Sequence, residues 1–248
     1  MALLQTEKLT KNFAALTAVD QVDLSVEAGT IHSLIGPNAA GKTTLFNLIS
    51  GELEPSAGRV VFNGADITHL RPHRLPHLGL GRSFQRSSLF PNLTAFENIW
   101  VSAYSCAGLG IWSLFRRVRD LSDIRERVEQ ILEEVNLVHK AHDKAGALSH
   151  GQQRALEVGI TLATSPTLLL LDEPTQGLSP EATQEMVGLI KRLGERYSIL
   201  LIEHKMHIVF SISDRISVLH FGQLIAEGEP DEIQRNQLVQ QAYLGGRK

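Results

Sequence analysis

The stretch Gly36-Pro37-Asn38-Ala39-Ala40-Gly41-Lys42-Thr43-Thr44 constrains this chain more than any other. It follows an apolar run, Thr30 to Ile35, that reads as a buried strand. It precedes Leu45-Phe46-Asn47-Leu48-Ile49, whose apolar positions recur at helical spacing. Strand, glycine loop and helix in that order form the context of a phosphate-binding loop. Successive backbone N–H groups converge on an anion there, and the helix start adds its partial positive charge. Lys42 is placed to reach the β and γ phosphates of a nucleotide, and the Thr43 hydroxyl to ligate Mg2+.

A second apolar run, Leu168 to Leu171, is continuous, as expected of a strand buried on both faces of a parallel sheet. It ends in Asp172-Glu173-Pro174, and open α/β sheets hold their ligands at such carboxyl ends. Asp172 is expected to share the Mg2+ shell with Thr43, and Glu173 to orient or deprotonate a water aimed at the γ-phosphate. The alternative is two acids opening a turn before Pro174. Gln85 closes a short predicted strand, Leu80 to Phe84, and its side-chain oxygen could touch Mg2+ or the water. His204 follows the strand end Leu201-Ile202-Glu203, where a histidine either bonds the γ-phosphate or serves the structure. Phe13 is close enough in sequence to fold back as an adenine-stacking ring, or it is a core phenylalanine.

Around these residues a β/α rhythm is legible. Glu7–Thr10 and Val22–Val26 read as antiparallel strands, and Arg59–Phe62 as another after the turn-rich Gly51–Gly58. From Leu93 to Ala163 the pattern is helical, opened by a capping-box pattern over Thr94–Glu97. Gly108–Phe115 followed by Arg116, Arg117 and Arg119 reads as a helical hairpin with a basic end, or as a membrane-surface helix. Helices are expected over Pro180–Arg196, Met206–Ser213 and Asp231–Leu244, with strands over Ser198–Ile202, Ile216–His220 and Gln223–Ala226. His69, His73 and His77 would align on one helix face as metal ligands, but Pro72 and Pro76 disturb that helix.

Composition excludes some partners. Lys plus Arg (24) nearly balance Asp plus Glu (27), so there is no general pull toward nucleic acid or acidic lipid. Cys106 is the one cysteine, cannot form an internal disulfide, and is expected to be a small buried residue of a protein in a reducing compartment. The N-terminus has no signal-peptide pattern and no stretch approaches 18 apolar residues, so a membrane role is expected to run through a partner.

One stretch has no use inside a single nucleotide site. Ser149 in Leu148-Ser149-His150-Gly151-Gln152-Gln153-Arg154 is expected to cap a helix from Gly151 to about Ala163, which makes a second anion site. Phosphate loop, Gln85, this stretch, the Leu168–Pro174 run and His204, in that order, resemble the nucleotide-binding subunit of an ATP-binding cassette (ABC) transporter, over nearly the whole chain.

The resemblance implies an α/β fold. Its phosphate-loop (RecA-like) ATPase core has a mixed, mostly parallel sheet and an N-terminal antiparallel β subdomain, over about residues 1–90 and 164–248. An inserted helical subdomain, about 91–163, carries the signature. Phe13 becomes the adenine-stacking position, Gln85 a sensor of Mg2+ and of the membrane subunit, Glu173 the catalytic base and His204 the γ-phosphate switch. Ser149, His150, Gly151 and Gln152 become the signature that closes on ATP held by the opposite subunit, and Gly177–Pro180 the loop crossing between subunits. The implied cofactors are ATP and Mg2+. The implied partners are a second ATPase subunit, two permeases and, indirectly, a solute-binding protein, at the cytoplasmic face of the membrane.

Arg82–Gln85, Leu93–Asn98, Glu203-His204 and the ending Ala242–Gly245 are similar to importers of branched-chain amino acids, with urea or amide importers close behind. A lipid or lipopolysaccharide exporter ATPase and a soluble, non-transport ABC ATPase are the competing readings. Three positions depart from the pattern. Ala39 stands where glycine is usual and fits if its φ stays below zero. His150 replaces a commoner glycine, and Lys205 stands where an acid is usual.

Overall fold

The computed structural model describes residues 2–83, 89–107 and 118–244. Gln85 and the segment 108–117 therefore lie outside the described residues, and with them the reading of a basic or membrane-surface helix end.

The chain opens with β1 (Ala2–Phe13), β2 (Leu16–Val22) and β3 (Ser25–Glu27), followed by β4 (Ile31–Ile35) and α1 (Lys42–Ile49). Where the sequence pattern suggests short separate strands before residue 26, β1 is one long strand. It pairs antiparallel with β2, with β3 and with β5 (Ala57–Phe62), bending at register shifts around Leu9–Lys11. β6 (Ala65–Asp66) completes this antiparallel layer.

The second sheet adds β7 (Leu80–Arg82), β8 (Leu168–Asp172), β9 (Ser198–Ile202), β10 (Arg215–His220) and β11 (Gln223–Gly228). Its order is β11-β10-β4-β9-β8-β7; β10, β4, β9, β8 and β7 run parallel and β11 antiparallel to β10. This is the mixed, mostly parallel sheet that the resemblance implies. β4, β8 and β9 are buried at every position, as expected of mainly apolar strands covered on both faces, and the polar His32 and Ser33 within β4 are hydrogen-bonded to Ser217 and Ser213.

Between β7 and β8 lie α2 (Ala95–Cys106), α3 (Val118–Glu134) and α4 (His150–Leu162). Thr94 caps α2 in the expected capping box with Glu97. Cys106, expected to be buried, is half-exposed instead, because it falls in the last turn of α2. After β8 come α5 (Pro180–Gly194), α6 (Met206–Ile212), α7 (Pro230–Arg235) and α8 (Gln237–Leu244). The expected single helix over the tail is thus two, divided at the extended Asn236. The histidine stretch forms two 3-10 turns, Pro72–Arg74 and Pro76–Leu78, each with proline at its start, rather than a helix with a histidine face.

The two faces of the six-stranded sheet carry different cores. Leu34, Leu168, Leu170, Leu200 and Ile202 pack with α1 and the antiparallel layer, through Leu45, Phe46, Leu4 and Phe62. Leu169, Leu171, Ile199 and Leu201 pack with α5 and the inserted helices, through Ile190, Ile99, Ile131 and Leu156. Each such side chain contributes about 2 kcal/mol by leaving water. No helix among the described residues is long and apolar enough to cross a membrane.

Candidate nucleotide site

β4 runs out at Ile35, and Gly36 and Gly41 bracket the loop that leads into α1. Gly41 has φ 102, and a Cβ there would come within 2.3 Å of the Ala18 carbonyl oxygen; at Gly36 it would lie 2.1 Å from the Leu219 carbonyl oxygen. Backbone passes too closely for any side chain at either position. Ala39 corrects an expectation: its φ is 63, in the left-handed region rather than below zero. The loop geometry imposes that conformation, and the methyl group is carried at a cost of about 1 kcal/mol. The buried Lys42 ammonium donates to the carbonyls of Gly36 (2.7 Å) and Pro37 (2.9 Å). Burial pushes its pKa below the usual lysine value, while Glu173 and Asp172 pull it back up.

Asp172 ends β8 and is buried. Among the described residues neither of its carboxylate oxygens has a hydrogen-bond partner, and the Arg82 guanidinium approaches only to 3.9 Å. Burial pushes its pKa up to about 6, with Arg82 pulling the other way. An orphaned buried carboxylate has open coordination sites for a hard divalent cation. The exposed Thr43 hydroxyl, one residue past Lys42, is the matching oxygen donor type. Glu173, the next residue, has φ 50, a backbone conformation that concentrates at functional positions. Its N–H donates to the Ile202 carbonyl at 2.9 Å, and its carboxylate makes a short hydrogen bond with His204 Nε2.

Two residues here were given no role from sequence. Buried Glu203 accepts from the N–H groups of Thr175 (3.0 Å) and His204 (3.1 Å), tying the segment after Glu173 to the end of β9. An acid directly after the apolar run Ile199–Ile202 was the available signal. Arg82 ends β7 and donates to Asn47 Oδ1 at 2.6 Å and to Ser50 Oγ, so it braces the last turn of α1 beside Asp172. Nothing in its neighbourhood in the sequence pointed to this reach. Lys205, unexplained from sequence, donates to the Thr175 carbonyl at 3.3 Å.

Phe13, Asn38, Ala39, Ala40, Gly41, Lys42, Thr43, Thr44, Glu173 and His204 line one cleft of about 720 Å³, with Asp172 buried beside it. Phe13 is exposed there, not a core residue. The signature residues are elsewhere. Ser149 caps α4, accepting from Gln152 N–H at 3.3 Å, while Gln152 Oε1 accepts from Ser149 N–H at 3.0 Å. Gly151 and Gln152 face a different cavity, formed with α5. A Cβ at Gly177 would lie 3.5 Å from His150 Nε2, so the Gly177–Pro180 loop is the neighbour of this helix start.

A glycine loop between buried strand and helix, an acid pair ending a strand of the same sheet and an aromatic ring at the cleft define a phosphate-loop nucleotide-binding protein. The chain belongs to the ABC transporter family: the family model of that description matches residues 19–176, and one described as branched-chain amino acid ATP-binding cassette transporter matches residues 223–248. It is an ATP-binding ATPase subunit. The high-affinity branched-chain amino acid transport ATP-binding protein BraF of Pseudomonas aeruginosa is 41% identical, with 98% of each chain covered. The ADP conformation of MJ1267, an ATP-binding cassette of an ABC transporter, matches with a TM-score of 0.84 at 35% identity over 99% of both chains. The dimeric post-hydrolysis structure of the cassette MJ0796, bound to ADP and Pi, matches with a TM-score of 0.76 at 25% identity, covering 92% of this chain and 98% of that one.

Proposed function

We propose that this chain is the ATPase subunit of an importer of branched-chain amino acids. The carrying observation is its full-length likeness to BraF together with the match of its last residues to a family of that transport class. In this reading residues 1–90 and 164–248 form the nucleotide-binding core and 91–163 the helical part bearing the signature. The subunit sits at the cytoplasmic face of the membrane, held there by two permeases and served by a solute-binding protein.

Phe13 stacks on adenine, and the loop N–H groups with Lys42 hold the β and γ phosphates. Lys42 leaves its contacts with the Gly36 and Pro37 carbonyls to do so. Thr43, Asp172 and Gln85 hold Mg2+, which supplies charge neutralisation of the phosphates. Glu173 takes the proton of the attacking water, and His204 holds Glu173 in place until the γ-phosphate offers a better partner. Ser149 to Gln152 are remote from this cleft in their own chain, so they serve the ATP of a second subunit. The test is reconstitution with the two permeases and a binding protein: leucine, isoleucine or valine raises ATP turnover. Stimulation by urea, an amide or a lipid instead would refute the solute assignment.

A further inference from the structure

The hairpin between β10 and β11 turns on two residues, Phe221 at φ 47 and Gly222 at φ 79. Left-handed conformations at both central positions define the turn that asparagine-glycine fits best, and a phenylalanine is disfavoured at the first of them. The ring is not buried in recompense: Phe221 is 80% exposed. A local rule broken without burial of the side chain marks a position kept for something the free chain does not contain.

The turn is also fixed to the phosphate loop. Gly222 N–H donates to the Ala40 carbonyl at 2.9 Å, and the Gly222 carbonyl accepts from Asp20 N–H at 2.8 Å. The His220 ring packs on that of Phe221, with centroids 4.3 Å apart. Phe221 therefore stands at a set place on the rim of the nucleotide cleft, together with Phe13 (44% exposed) and Leu16 (65% exposed). One side of the Phe13 ring is attended by the Lys11 ammonium, 5.3 Å from its centroid, which leaves Phe13 a single face to offer.

We propose that Phe221 is a second base-binding residue of this cleft, giving the nucleobase of ATP an aromatic contact in addition to Phe13. The inference rests on reading the cleft as the ATP site and adds a residue to it. A nucleobase has two apolar faces, and stacking on an aromatic side chain needs no hydrogen-bond code. The phosphates are held by the loop, so the role of Phe221 is confined to the base.

The experiment compares the full-length chain with Phe221→Asn and Phe221→Trp by calorimetric titration of ATP and of inorganic tripolyphosphate, both with Mg2+. Phe221→Asn binds ATP about tenfold more weakly, the loss expected for one base stack. Its affinity for tripolyphosphate stays within about twofold, and its unfolding temperature does not fall, since asparagine suits the turn. Phe221→Trp keeps ATP affinity within about twofold, because stacking is retained. Unchanged ATP affinity in Phe221→Asn, equal losses for ATP and tripolyphosphate, or no recovery in Phe221→Trp each overturn the proposal. A wild-type chain that binds neither ligand would sink the nucleotide reading itself, and this inference with it.

Discussion

Replacing Arg82 with methionine isolates the least expected contact of the site. The Arg82 side chain is 10% exposed and that of Asp172 not at all, so the variant leaves a buried carboxylate without its nearest cation. Removing one partner of a buried pair costs about 3–5 kcal/mol, a figure that includes the lost hydrogen bonds to Asn47 and Ser50. For a chain of this size, a loss of about 4 kcal/mol lowers Tm by roughly 8–16 °C. The loss depends on pH with a definite sign. Asp172 titrates at about 6 in the folded protein against 3.8 when unfolded. Between those values the folded state binds more protons, so its stability falls as pH rises through that window and the cost is complete above it. Arg82 opposes the burial of that charge, so its removal matters most where Asp172 is ionised. Urea unfolding at pH 8 should show a deficit of about 4 kcal/mol, and at pH 5, with the carboxyl mostly neutral, about 2 kcal/mol from the lost hydrogen bonds. Equal deficits at the two pH values, or one below about 1 kcal/mol at pH 8, would refute the pairing.

Two further outcomes are expected. Glu173→Gln should bind ATP with affinity near wild type while turnover in the assembled complex falls at least about a hundredfold; unchanged turnover would remove Glu173 as the base. Ala39→Gly relieves a left-handed alanine and should raise stability by about 0.5 kcal/mol or leave it unchanged, since the freer unfolded chain offsets part of the gain. Thermal unfolding that shows a loss above about 1 kcal/mol would contradict that φ.

The loop and the two runs that feed it were legible because their chemistry is local. Strand, glycines, lysine and helix are neighbours in sequence, and the four leucines before Asp172 announce burial on both faces. Ser149 was legible as a cap for the same reason, while its reciprocal bonds with Gln152 came only with the structure. What escaped depends on distance in sequence. Arg82 reaches back to Asn47 and Ser50, and Glu203 back to Thr175 around a strand end; neither partner is predictable from a pattern of period two or 3.6. Phe221 drew no notice in the sequence, since only the third dimension sets it beside Phe13. The left-handed φ of Ala39 escaped because the closure of the loop sets it, not the residues beside it. The long β1 reads as fragments because it bends at its register shifts.

The alternation of Leu168 to Leu171 gives separate handles on a composite machine. Thinning Leu170 loosens the floor beneath the half that carries the phosphate loop, whereas thinning Leu169 slackens the half that carries Ser149 and α4. Variants thinned on one side of the strand or the other can then report, by ATP turnover, which half limits it.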